Sequence, residues 1–127
     1  MSIAEPTTIG LSERAHALLT QMKEDGYFAE MADGYRIGIA IALSRGIGDH
    51  EVGTPRKTVF STATIDPDQE IAMTIRSLFD VDGEATYKVA ERLADWGVLE
   101  IARQFEGGVV DIATLIHQAR PNPSDAA

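Results

Sequence analysis

The hydrophobic positions change their period twice in the first third of the chain. In "TTIGLS" (residues 7–12) Thr7, Ile9 and Leu11 alternate with Thr8, Gly10 and Ser12, the two-residue period of a short strand with one side buried. In "ERAHALLTQMKEDG" the apolar residues Ala15, Leu18, Leu19 and Met22 fall at helical spacing. Ser12 can cap this helix through its hydroxyl, and Gly26 can end it. "GYRIGIAIALSRG" (34–46) then runs apolar almost throughout.

That third segment has two readings. As a strand it places Ile37, Ile39, Ile41 and Leu43 on one face and Gly38, Ala40 and Ala42 on the other. As a helix it carries Gly34, Gly38, Ala42 and Gly46 at four-residue intervals, a stripe of small side chains that lets another helix approach closely. Asp33 as N-cap and Gly46 just past the end mark both ends as helical, so helix is the reading adopted. A helix apolar nearly all round must be buried on every side, which a second copy of the chain would achieve. The expected dimer core is Ile9, Leu11, Gly34, Ile37, Gly38, Ile41 and Ala42.

Beyond residue 46, "GIGDHEVGTPRK" is a glycine- and proline-punctuated loop and "TVFSTATI" (58–65) reads as a strand. In "DPDQEIAMTIRSLF" Asp66 is the expected cap, Pro67 the first helical residue and Gln69 the capping-box partner, with Ile71, Ile75 and Leu78 as the buried stripe. After the turn "DVDGEA" a long helix runs through "TYKVAERLADWGVLEIARQF". Tyr87, Ala90, Ala94, Gly97, Val98, Ile101 and Phe105 share one face, and Gly97 is a weak point. "DIATLIHQA" reads as a last short helix, and 120–127 as a disordered tail. The expected fold is mainly α: a short N-terminal strand plus two helices, then a short strand and three further helices packed on them. Residues 1–46 form the dimerisation unit and 47–119 the helical C-terminal part of the same domain.

Composition narrows the function. The absence of cysteine excludes disulfides and thiolate metal sites. The N-terminus lacks the order of a signal peptide, and no apolar run approaches the roughly 20 residues of a membrane span, so a cytoplasmic location is expected. The net charge is −9, with four Lys/Arg against six Asp/Glu in residues 1–46 and seven against fourteen thereafter. Such a surface repels phosphate as a whole, which leaves a local basic patch as the route to nucleic acid.

The chemistry-bearing residues form no recognised site. His16, His50 and His117 share no ligand spacing, and neither "DPDQE" nor "DVDGE" continues into a calcium loop. The glycines around Arg45, Arg56 and Lys57 lack the lysine-serine or lysine-threonine pair of a phosphate loop. No serine, histidine and carboxylate stand in a catalytic arrangement. Neither metal, cofactor nor enzymatic activity is expected.

The order strand, amphipathic helix, apolar helix over residues 7–46 resembles a ribbon-helix-helix unit. The same stretch is similar to the N-terminal part of the small E subunit of DNA phosphorothioation (sulfur-modification) systems, in its "LS" opening and its "YRIGIAIALS" helix. The ribbon-helix-helix resemblance implies that strands of two chains pair into a ribbon whose outward side chains face DNA, with the second helices packed across the dimer axis. Outward positions here are Thr8 and Gly10. The function expected is a small homodimeric DNA-associated accessory or regulatory protein, with Thr8, Arg14, Arg36, Arg45, Arg56 and Lys57 as its DNA contacts. The alternative is a protein–protein adaptor with an acidic partner surface and no DNA binding.

Overall fold

Residues 6–47, 50–52, 56–79 and 85–106 are described by the structure, a computed structural model. Strand β1 (Thr8–Ser12) leads directly into α1 (Glu13–Glu24). There follow α2 (Met31–Ser44), β2 (Arg56–Ser61), the single turn α3 (Thr62–Ile65), α4 (Glu70–Leu78) and α5 (Thr86–Glu106). The mainly α layout of strand, two helices, strand and further helices is the one expected. The short helix expected over 111–119 and the tail 120–127 lie outside the described residues.

Local chemistry sets the boundaries. The Ser12 hydroxyl accepts the Ala15 amide at 3.2 Å and starts α1; Gly26, at φ +87°, follows its end. The apolar segment is a helix, closed by Gly46 at φ +68°. Its start differs from expectation. Glu30, not Asp33, occupies the N-cap position, because Met31 and Ala32 pack against the core and extend the helix backwards. Asp33 lies in the first turn and pairs with Arg36 at 3.3 Å.

Two further expectations are corrected. β2 begins at Arg56 and stops at Ser61, whose hydroxyl accepts the Thr64 amide at 3.1 Å and turns "TATI" into α3. Asp66 does not sit at the N-cap of α4; Gln69 does, in left-handed conformation at φ 60°. The Asp66 carboxylate nevertheless accepts the Ile71 and Ala72 amides, each at 3.0 Å, and so caps the helix from outside. In the resulting orientation Ala72 and Ile75 are buried, while Leu78 is exposed.

β1 pairs antiparallel with β2 of the same chain. Ile9 lies opposite Phe60 and Leu11 opposite Lys57, with an irregularity between Ile9 and Gly10. Gly10 is buried rather than outward-facing; a side chain there would run into the Lys57 carbonyl.

The partner of the apolar helix is α5. Gly38 of α2 meets Gly97 of α5 backbone to backbone, and a Cβ on Gly97 would overlap the Gly38 carbonyl group. Gly97 is therefore the crossing point, not a weak point: two helices approach this closely only where both lack side chains. Gly34 sits against Leu19 and Phe28. Of the expected dimer core, Ile9, Leu11, Gly34, Gly38, Ile41 and Ala42 are buried by their own chain, and Ile37 is half-buried. The need for a second copy to cover α2 does not arise.

Candidate anion-binding face along α5

Two carboxylates stand at the centre of this face. Glu91 and Asp95, one turn apart on α5, are 1 % and 0 % exposed. In an antiparallel pair the odd residues of β1 turn their backbone groups to β2, so those of Gly10 and Ser12 point to the other edge. There Glu91 Oε2 accepts the Gly10 amide at 3.0 Å, and Asp95 Oδ1 accepts the Ser12 amide at 2.8 Å. The Tyr35 hydroxyl donates to the Gly10 carbonyl at 3.0 Å. Side chains thus take the place of a third strand, and β1 has no open edge over these residues. Burial, and then the nearby Glu91 and Asp95 carboxylates, push the Tyr35 phenol well above its usual pKa and keep it a donor.

The outer oxygens of the same carboxylates gather cations. Arg56 Nη2 and Lys88 Nζ pair with Glu91, the lysine at 3.3 Å. His50 Nε2 donates to Asp95 Oδ2 at 2.9 Å, since a carboxylate can only accept. One turn further, Glu100 accepts from Arg45 at 3.1 Å and from Arg103 Nε at 2.9 Å. The Arg45 guanidinium also lies 5.6 Å from the Trp96 ring centroid, a cation–π contact. Positions 88, 91, 95, 99 and 103 of a helix share one side, so Lys88, the Arg56 and His50 partners of Glu91 and Asp95, and Arg103 line about 22 Å of it, with Glu100 and Arg45 further round the helix. The acids lie beneath and the charged nitrogens outside: Arg56, Lys88 and Arg103 keep 41 %, 44 % and 65 % of their side-chain surface exposed.

A groove of about 370 Å³ opens beside this row, between α1 and α5, with Arg14 and Leu18 on one wall and Trp96, Leu99 and Arg103 on the other. Arg14 is exposed and makes no ion pair or hydrogen bond among the described residues. Glu100, also on the groove, is held down to about 2, chiefly by the Arg103 hydrogen bond, against burial, which raises it; Gln104 and Arg45 lower it further. Because its folded value lies below the ordinary 4.5, Glu100 stabilises the fold fully above that pH and loses its contribution as pH falls toward about 2. Glu100→Gln should therefore flatten the pH dependence of thermal stability across that interval, by an amount on the order of 1 kcal/mol after solvent screening.

The expected DNA contacts divide. Arg14, Arg45 and Arg56 belong to the row or its groove. Arg36 does not: it donates to the Ile65 and Thr64 carbonyls at 2.9 and 2.6 Å and joins α2 to α3. Thr8 and Lys57 are exposed on the β1–β2 ribbon. Lys57 lies close enough to His16 that its charge, after burial, lowers the histidine pKa. Sequence reasoning missed Lys88, Arg103, His50, Trp96 and the two buried acids. Glu91 and Asp95 carried a signal, since they continue the helical stripe of Tyr87 and Val98 and so point inward.

Among the described residues no three His, Asp or Glu side chains converge as metal ligands would, and no helix is long and apolar enough to cross a membrane. Comparison with protein-family models, curated proteins and solved structures finds no match to this chain.

Proposed function

We propose that this protein is a small accessory protein without catalytic activity that associates with DNA through the cationic row along α5. The observation that carries the reading is the placement of Lys88, Arg56, His50 and Arg103 along one side of α5, held by acids, on a chain whose net charge is −9. Successive phosphates of one duplex strand lie about 7 Å apart, so a row about 22 Å long spans roughly three of them. The cations are oriented by the acids beneath them, so little side-chain entropy is lost when phosphate is bound. The row consists of cationic side chains held by acids, the kind of group that contacts phosphate, so the binding proposed is to the backbone and tolerant of sequence.

Affinity is then micromolar or weaker and governed by counterion release. The test is a titration of fluorescent duplex DNA at increasing salt. With about three phosphates neutralised, the logarithm of affinity should fall with a slope near −2.7 against the logarithm of salt. Absence of binding at low salt would remove the reading.

A second reading, a protein–protein adaptor, is favoured by α4. Met73 and Leu78 are exposed large apolar side chains on the helix that Glu70 opens. The same titration separates the two, since an adaptor of this kind leaves duplex DNA free at any salt.

A further inference from the structure

We infer that the groove between α1 and α5 is a binding site for a single unstacked nucleotide, such as the end of a DNA strand or a base in a single-stranded stretch. This rests on the DNA reading above and names a site within it. Its about 370 Å³ lies near the lower end of the roughly 300–1,000 Å³ typical of small-ligand sites. That is room for one base and its phosphate, and too little for a base pair.

Its lining divides by chemistry in the way a nucleotide does. Leu18, Leu99 and the Trp96 ring give an apolar, partly aromatic wall, and aromatic rings accept any base because every base has a π face. Arg45, tied to Glu100 and lying over the indole, holds Trp96 in place. Arg14, Arg103 and His50 supply the positive side, and the one carboxylate of the lining, Glu100, is offset by its pairing with Arg45 and Arg103. The three basic side chains differ in how many of their donors remain open. Arg103 is engaged by Glu100, and His50 by Asp95, whereas Arg14 has no partner among the described residues. Its guanidinium, at the groove wall and in solvent, is the group free to clasp a phosphate with two parallel hydrogen bonds. A stacked base in an intact duplex has no open face to offer Trp96. The groove therefore selects unstacked nucleotides, while the cationic row accepts duplex and single strand alike.

Trp96 is the one tryptophan of the chain, so its fluorescence reports on the groove directly. The full-length protein would be titrated with a short oligothymidylate, with a hairpin duplex closed at both ends, with inorganic phosphate and with a short oligoglutamate. The oligothymidylate should quench Trp96 saturably and the closed duplex should not. Arg14→Ala, an exposed substitution, should weaken that quenching about tenfold while the melting temperature stays unchanged. Anisotropy of labelled closed duplex is followed in parallel. Duplex binding without any oligothymidylate quenching would overturn the groove proposal and leave the DNA reading standing. No binding of either nucleic acid would overturn both. Equal quenching by oligoglutamate or phosphate, or quenching indifferent to Arg14→Ala, would also overturn the site as one for nucleotides.

Discussion

Replacing Gly97 by alanine should destabilise this protein by about 3 kcal/mol or more, although the same change inside an isolated helix is stabilising by about 1 kcal/mol. The two expectations have opposite signs, which makes the substitution decisive. In the fold, a Cβ at Gly97 would overlap the carbonyl oxygen, carbonyl carbon and Cα of Gly38. Backbone cannot rotate aside as a side chain can, so α2 and α5 must separate. That opens the contact beside Ile39, Ile41, Ala94 and Val98, all buried. Gly38→Ala should cost less, because a Cβ there meets the Val98 amide nitrogen and Ala94 carbonyl oxygen at 3.1 and 3.2 Å, tight but short of overlap. Urea unfolding of the three proteins ranks them. A Gly97→Ala variant as stable as the parent would mean that the helices do not cross at this point.

Glu91→Leu should cost about 3 kcal/mol, the lower end of the range for breaking a buried ion pair, since Arg56 is partly exposed and solvent recovers some of its charge. The substitution also leaves the buried Gly10 amide with no acceptor, itself worth roughly 1–3 kcal/mol. Glu91→Gln retains an oxygen for that amide and loses only the charge, so it should cost clearly less. Both variants release Arg56 and Lys88 from their counter-charge. The folded fraction of Glu91→Gln should therefore bind duplex DNA more tightly than the parent, with a steeper salt dependence. Stability and DNA affinity move in opposite directions here. That pairing separates a cationic row with a ligand from one that serves only to hold β1.

The local elements were legible in the sequence because they rest on short-range rules. Ser12, Gly26 and Gly46 act at α1 and α2 as capping residues do, and the apolar second helix is a helix. What sequence did not show was which partner that helix has. Small residues at four-residue intervals state that something approaches closely, but not whether it is another chain or residue 97 of the same one. The long-range pairing of Gly38 with Gly97 decides that, and it is a tertiary fact. Asp66 illustrates the same limit on a smaller scale: its capping chemistry was visible, but the extra turn through Gln69 that brings the Ile71 and Ala72 amides to it was not. The site was the least legible part. Cations from β2, the 50–52 segment, α1 and α5 reach one face only after folding. The buried acids that arrange them look, in a charge count, like ordinary acidic surface.

Whether DNA lies along α5 is read most directly from the affinity of duplex DNA for charge-reversed variants at fixed low salt. Lys88→Glu and Arg14→Glu reverse charge beside the two ends of the row, and Lys23→Glu makes the same change in the last turn of α1, half a turn round that helix from Arg14. If DNA lies along α5, the first two should each weaken binding severalfold and together abolish it, while Lys23→Glu should leave it within about twofold of the parent. Equal losses from all three would show that DNA feels only the overall charge of the chain, and the cationic row would not be its binding face.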